Sequence, residues 1–145
     1  MYLIAHRGNL RGSNPEEENK PEYILSALDK GFHVEVDVWL TSYDGLYLGH
    51  DCALHPIEMD FLQNDRLWCH AKNLAALSLM MENNIQCFWH ESDDYTLTSS
   101  GFIWTYPGKN ITKKSIIVCR DLEETKQMKK SIAGGVCSDY VGGLK

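Results

Sequence analysis

Three short apolar segments in the first 51 residues of this chain each lead into an ionisable side chain. The first runs into His6, and the third is separated from His50 by a single glycine. Between them, valines alternate with polar residues over 33–38, so that Glu35 and Asp37 share one face, a period of two that is typical of a β-strand. Parallel α/β folds gather their chemistry where strands end, which predicts that these side chains converge.

Four short motifs occur in order along these segments: His6-Arg7-Gly8, Glu35-Val36-Asp37, Asp44-Gly45 and His50-Asp51. In these residues the chain resembles the glycerophosphodiester phosphodiesterase family, which carries H-R-G after its first strand, E-x-D on its second, and a D-G turn leading to H-D after its third. The family's P-E-N-T before the first helix is matched only in part, by Glu-Glu-Asn-Lys at residues 17–20. The resemblance is most specific in the first third of the chain and implies cleavage of a phosphodiester.

The resemblance also implies a (β/α)8 TIM-type barrel, although 145 residues form one domain (1–145) that is far shorter than the roughly 250 residues of a typical barrel. Convincing helical stretches number only three, at 21–30, 73–83 and 121–133. The sequence therefore predicts a compact, helix-poor (β/α)8 barrel. Its eight strand candidates are 2–5, 33–38, 46–49, 67–71, 86–90, 102–106, 115–119 and 135–139.

The connection between the second and third strands admits two interpretations. Eight extended residues over 38–46 reach roughly 26 Å, enough to return down a barrel without a helix. A hairpin turn at 43–45 is the alternative, and in a simple hairpin Asp37 and His50 would lie at opposite ends of their strands. The resemblance implies the extended return, which we therefore predict.

Glu35 and Asp37 are expected to bind one divalent cation, because oxygen-only sites of this kind favour Mg²⁺ or Ca²⁺. The family's fourth strand ends in E-x-K, where this chain has His70-Ala71-Lys72. The resemblance thus implies His70 as the third ligand, which would move the preference toward Mn²⁺ or Zn²⁺; a substrate-contacting imidazole is the alternative. Lys72 is expected to meet the phosphate, with a solvated lysine as the alternative.

His6 and His50 suit the proton transfers of diester hydrolysis, because an imidazole titrates near neutral pH and serves as acid or base. Arg7 offers a fork of donors to a phosphate. Trp104 is a candidate to stack on a substrate sugar or alcohol, although aromatic residues in strands more often belong to a core. His90-Glu91 and the polar run that follows fit a solvated loop equally well, and we leave them outside the expected site.

The predicted reaction is metal-dependent hydrolysis of a glycerophosphodiester-like bond to a phosphomonoester and an alcohol. Two alternatives remain open. One is a lyase or transferase of the same barrel superfamily, which forms a cyclic phosphate by attack of a substrate hydroxyl. The other is a noncatalytic module that binds a sugar phosphate. The expected substrate is a small or polymer-linked phosphodiester.

Composition narrows the partners and the compartment. A net charge of -6 argues against nucleic-acid binding, and no apolar run approaches the roughly 20 residues that span a bilayer. Five cysteines without a C-x-x-C pair indicate free thiols and a reducing cytoplasm. A homodimer is predicted because three helices leave outward apolar strand residues uncovered. These residues are Val34, Val36, Val38, Ile103 and Ile117.

Overall fold

The computed structural model describes residues 1–43 and 45–145, so Asp44 of the predicted D-G turn lies outside the described residues. Its strands are β1 (Tyr2–His6), β2 (His33–Thr41), β3 (Gly45–Leu48), β4 (His55–Ile57), β5 (Leu67–Ala71), β6 (Cys87–Phe88), β7 (Tyr95–Leu97), β8 (Ile103–Thr105), β9 (Ser115–Val118) and β10 (Gly135–Ser138). Its helices are α1 (Pro21–Asp29), α2 (Met59–Leu62), α3 (Leu74–Glu82) and α4 (Leu122–Lys129), followed by one 3-10 turn, Val141–Gly143. None of the helices in these ranges is long and apolar enough to cross a membrane.

Seven strands run parallel in the order β6-β5-β2-β1-β10-β9-β8. The hairpin partners β3 and β4 extend from β2, and β7 pairs antiparallel with β8. The sheet curls until its ends touch, since the Ser99 amide donates to the Cys87 carbonyl at 2.8 Å and the rings of Phe88 and Trp104 stack 4.3 Å apart. Strand pairing does not continue from β6 to β8 within the described residues, so the sheet stays open.

The predicted (β/α)8 TIM-type barrel is therefore wrong, and the fold is an open, curled mixed sheet with four short helices in the described ranges. The physical reason lies in the connections. A parallel neighbour needs a long crossover, usually a helix, whereas the chain between β6 and β8 forms the short antiparallel strand β7. The connection therefore adds an antiparallel hairpin strand where an eighth parallel strand would close the sheet.

The two faces of the curled sheet pack into separate apolar clusters. Inside the curl, Trp68 is 1% exposed and contacts the rings of Tyr2, Phe102 and Trp104. Outside it, the β2 valines pack with residues of α1 and α3 in one continuous core. The inner cluster fills the curl below the C-terminal ends of the parallel strands and therefore supports, from below, any site formed at those ends.

The outer cluster removes the argument for a homodimer. Val34, Val36 and Val38 are each 0% exposed, Ile117 is 1% exposed and Ile103 is half-buried, all within a single chain. The expectation that these residues lack cover is wrong, because the short helices and the irregular segments around them pack over the strands. The homodimer stays a prediction without this support.

The connection after Asp37 is a hairpin, so the predicted extended return is wrong. Strand β2 continues past Asp37 to Thr41, and β3 pairs with it antiparallel, with Val38 opposite Leu48. Because the hairpin extends beyond the sheet and then returns, the Gly49 amide donates to the Asp37 carbonyl at 3.1 Å. A hairpin therefore brings His50 back beside Asp37 rather than separating the two.

Gly49 makes this return possible, and replacing it should destabilise the protein. Its φ is 154°, and an added Cβ would overlap the backbone oxygen of Cys52. We expect Gly49→Ala to lower the free energy of unfolding by about 2 kcal/mol, as overpacking against backbone does. Urea denaturation followed by tryptophan fluorescence measures this loss. Gly143→Ala is the matched control, since a Cβ there meets open space; equal stability of the two variants would contradict the prediction.

Candidate metal centre and cleft

A cavity of about 370 Å³ opens at the C-terminal ends of the parallel strands. Seven of the eight site residues expected from the sequence line it: His6, Arg7, Glu35, His50, His70, Lys72 and Trp104. The eighth, Asp37, is 0% exposed and lies behind the wall in contact with three of them. The residues expected to act together are therefore brought together.

Glu35 and Asp37 project from the inner face of β2, and both carboxylates are buried. Burial raises the pKa of Glu35, and the charge of Asp37 raises it further. Burial also opposes the charge of Asp37, but contacts with His70, Arg7 and Asn19 outweigh it and lower the pKa of this carboxyl. Asp37 is thus held as a carboxylate, while Glu35 gains from any additional positive charge.

Asp37 is clamped by two residues of the loop between β1 and α1. The Asn19 side chain donates to Asp37 Oδ2 at 2.9 Å and accepts from the Asp37 amide at 3.0 Å. Arg7 Nε lies 3.1 Å from the same carboxylate oxygen, and Arg7 Nη1 donates to Glu18 at 3.0 Å. Both loop residues have positive φ, 52° for Arg7 and 63° for Asn19, and the Asn19 amide donates to the Arg7 carbonyl. The family-like Glu-Asn pair at 18–19 thus supports the site, a role the sequence reading had not assigned.

His70 is oriented with one ring nitrogen toward the carboxylates. Its Nε2 donates to the His90 carbonyl at 2.9 Å, and its ring stacks on Phe88 with 5.1 Å between centroids. Because a carbonyl only accepts, Nε2 carries the proton, and Nδ1 faces Asp37 Oδ1 at 3.2 Å and Glu35 Oε1 at 3.8 Å. In a neutral ring, Nδ1 carries a lone pair that points at two carboxylate oxygens, which are themselves acceptors. Either a second proton on the ring or a cation must therefore lie between Nδ1 and these oxygens.

This donor set fits a divalent cation. One ligand atom each from Glu35, Asp37 and His70 lies within 4.8 Å of the others. Glu35 Oε2 and Asp37 Oδ1 are buried without a hydrogen-bond donor among the described residues. A histidine ligand usually donates its other N–H to a backbone carbonyl, as His70 does to His90. The cluster therefore has the ligands, the unsatisfied oxygens and the outer hydrogen bond of a metal centre.

His6 is held by Asp139, a residue that the sequence reading placed in no functional role. Its Nδ1 lies 2.8 Å from Asp139 Oδ1, and Nε2 lies 3.9 Å from Glu35 Oε2. Burial lowers the pKa of His6, but the hydrogen bond with Asp139 and the charge of Glu35 outweigh it, so the net pKa is raised. The arrangement favours an imidazolium whose Nε2 faces the centre.

Asn9, which is 0% exposed, joins the two halves of this network. Its Nδ2 donates to Asp139 Oδ1 at 2.9 Å and to Glu18 Oε1 at 2.8 Å, while Oδ1 accepts from the Tyr23 hydroxyl at 3.2 Å. The carboxylate behind His6 and the carboxylate behind Arg7 are thus fixed to one amide. Nothing in the local sequence around Asn9 distinguished it, because its partners lie on distant segments.

The remaining expected residues are less constrained. His50 is 44% exposed in its side chain and pairs with Asp51 at 2.7 Å. Lys72 Nζ lies 3.7 Å from Asp37 Oδ1 and borders the cavity. Trp104 is 5% exposed and stacked on Phe88, so it contributes a ring edge to the wall rather than an open stacking face.

The sequence reading missed one wall of the cleft. The same cavity is also lined by four further residues, of which the sequence analysis leaves the first two outside the expected site: His90, Glu91, Tyr106 and Pro107. For Tyr106 the signal was the two-residue spacing from Trp104 on β8, since Tyr106 directly follows that strand and both side chains line the cavity. His90 follows β6 and faces the cavity because the sheet curls back on itself.

Comparisons with known proteins add no family to this geometry. No family model, no curated protein and no solved structure matches the chain.

Asp139→Asn should lower the pKa of His6, because a neutral amide no longer favours the imidazolium. The stability that this pair contributes is full below about pH 6.5 and disappears as the pH rises through the raised pKa of folded His6. NMR titration of the imidazole C–H signals measures the shift directly. Asp93→Asn, which alters the partner of His90 instead, is the control and should leave His6 unchanged. An identical His6 titration in Asp139→Asn would contradict the assignment.

Proposed function

We propose that this protein hydrolyses a phosphodiester with the help of one divalent cation, releasing a phosphomonoester and an alcohol. The observation that carries the proposal is the buried cluster of Glu35, Asp37 and His70, whose unsatisfied oxygens lie at or just behind the wall of the cleft that His6 also lines. A noncatalytic phosphate-binding module has no need of imidazoles oriented by carboxylates. In this cleft His6 is oriented by Asp139, and His50 pairs with Asp51.

The side chains around the centre account for binding of the anion. Arg7 keeps Nη2 free of hydrogen bonds among the described residues, and Lys72 Nζ is an ion-pair partner of Asp37 rather than a hydrogen-bonded one. Both cations border the cleft and are available to the nonbridging phosphate oxygens. Glu35, Asp37 and His70 would hold the divalent cation, which would supply further charge neutralisation and Lewis-acid chemistry when bound.

The two histidines divide the proton transfers. His50, the more exposed imidazole, accepts a proton from the attacking water as the new P–O bond forms. His6, whose protonated form is favoured by Asp139 and Glu35, gives a proton to the leaving oxygen as the ester P–O bond breaks. Proton transfer back through solvent restores both rings.

The metal should be one that accepts both carboxylate and imidazole donors, and Mn²⁺ meets this condition. We expect the metal-stripped protein to regain diesterase activity with Mn²⁺ more fully than with Mg²⁺ or Ca²⁺. His70→Glu converts the set to oxygen alone and should shift the preference toward Mg²⁺ or Ca²⁺. Activity titrations with each metal measure the order, and Glu35→Gln with Asp37→Asn should abolish the response to every metal. An unchanged order in His70→Glu would show that His70 is not a ligand.

With an alkyl diester, loss of either histidine should slow turnover by about 10²–10⁴-fold, the usual contribution of acid or base catalysis. The two variants should differ with the leaving group. Removing the acid matters little for para-nitrophenolate, so His6→Ala should recover most of its rate with bis-para-nitrophenyl phosphate but not with an alkyl diester.

His50→Ala should be slow with both substrates, and His55→Ala, on the edge strand β4, is the control. Full activity in both His6→Ala and His50→Ala would contradict the mechanism. Turnover in ¹⁸O-labelled water should place the label in the linear phosphomonoester; an unlabelled cyclic phosphate would instead indicate attack by a substrate hydroxyl.

A further inference from the structure

The cleft has an outer wall that the proposed chemistry does not use. This outer wall consists of His90, Glu91, Tyr106 and Pro107, and it continues from the metal cluster toward solvent. Tyr106 is 49% exposed, and its backbone is fixed because its amide donates to the Asp94 carbonyl at 2.9 Å. Its ring lies 6.4 Å from the His90 ring at a tilt of 46°. The wall therefore presents a half-open aromatic surface on a held backbone.

The side chains of His90 and Glu91 give the outer wall two hydrogen-bond acceptors. His90 Nδ1 lies 3.1 Å from Asp93 Oδ2, and because a carboxylate only accepts, Nδ1 carries the proton of the neutral ring. His90 Nε2 then carries a lone pair and has no hydrogen-bond partner in the described part of the chain. The Glu91 carboxylate is exposed and has no partner in the same ranges, since the hydrogen bond at Glu91 uses only its backbone amide. These two acceptors thus line the same cavity as the aromatic ring of Tyr106.

A ligand that matches this wall offers hydroxyl donors at its edge and an apolar face against Tyr106. A cyclic polyol has both, since its C–H groups pack on an aromatic ring while its hydroxyls donate to Glu91 and His90. An amine such as ethanolamine would also donate to Glu91, but it has no ring face to pack against Tyr106.

A second cavity of about 340 Å³ could hold the second alcohol that is esterified to the same phosphate. It shares Arg7 and His50 with the first cavity and extends away from the metal cluster, along Ser13, Asn19 and Asp51. A phosphate bound between Arg7 and His50 therefore has room for a group on each side. Only the side with the outer wall carries an aromatic surface.

We propose that the outer wall is the binding site for a cyclic polyol, such as a sugar or cyclitol, esterified to the phosphate of the substrate. The inference rests on the proposed diesterase function. It assigns Tyr106 as the stacking residue and His90 and Glu91 as the acceptors for ring hydroxyls. The substrate is then a diester that joins a neutral ring alcohol to a second alcohol lying in the smaller cavity.

The test compares glycerophosphoinositol with glycerophosphoethanolamine, which share one alcohol and differ in the other. Turnover with Mn²⁺ is followed by ³¹P NMR of quenched samples from which a chelating resin has removed the paramagnetic ion. We expect kcat/KM to favour the inositol ester by about tenfold or more, the usual discrimination of one well-placed packing contact. Tyr106→Ala should remove the preference through KM, whereas Tyr106→Phe should keep it. Tyr95→Ala is the matched control, because Tyr95 is 46% exposed and does not line the cleft.

A binding experiment distinguishes failure of the polyol site from failure of the diesterase function on which it rests. Titration with myo-inositol should shift the amide signals of residues 90, 91 and 106 in the native protein and in Tyr95→Ala, but not in Tyr106→Ala. Three outcomes would overturn the polyol site and leave the diesterase standing. These are equal turnover of both esters, a preference for the ethanolamine ester, and an inositol preference that is retained in Tyr106→Ala. If neither ester is cleaved with any metal while inositol binding depends on Tyr106, the diesterase fails and the polyol site stands. If inositol binding is also absent, both fail.

Discussion

Two carboxylates buried side by side on β2 are the constraint around which this structure is arranged. Removing a carboxylate from water costs several kcal/mol unless positive charge and hydrogen bonds compensate, and Glu35 and Asp37 repel each other as well. The compensation comes from distant segments: Arg7 and Asn19 from the first loop, and His70 and Lys72 from the end of β5. It leaves Glu35 Oε2 and Asp37 Oδ1 without a hydrogen-bond donor among the described residues. The deficit is larger for Glu35, whose pKa is raised, and a divalent cation would supply what is missing.

The site divides into a rigid inner part and an open outer part, and the division follows burial. Around the carboxylates, Asn9, Asn19 and Asp139 are held by several hydrogen bonds each, so the geometry is set before any ligand arrives. Farther out, His50 and Tyr106 are about half exposed. A rigid centre suits chemistry whose atoms must stay in place, whereas an exposed wall with unpaired acceptors suits recognition of a substrate group.

The curl of the sheet makes this division possible with few residues. Its concave side is filled by Trp68, Phe88 and Trp104, which support the site from below, and its convex side is covered by short helices and irregular segments. Contacts between Phe88 and Trp104 bring the two ends of the sheet together without strand pairing, and this places the outer wall across the cleft from β2. An open sheet thus encloses a cavity that lies among side chains from both of its ends.

Local sequence determined the parallel strands and the identity of the central residues, whereas the short antiparallel strands β4 and β7 lie outside the predicted strands. The alternation of valines with Glu35 and Asp37 specifies a strand with acids on one face, and β5 lies at the predicted residues 67–71, because side-chain direction in a strand has a period of two. What only the tertiary structure decided is how those strands are joined and what each charge meets. Whether residues 38–48 form a hairpin, whether the sheet closes, and which carboxylate faces His6 all depend on contacts between residues far apart in sequence. His6 and Asp139, for example, are 133 positions apart, and their pairing follows from β1 and β10 lying next to each other in the sheet.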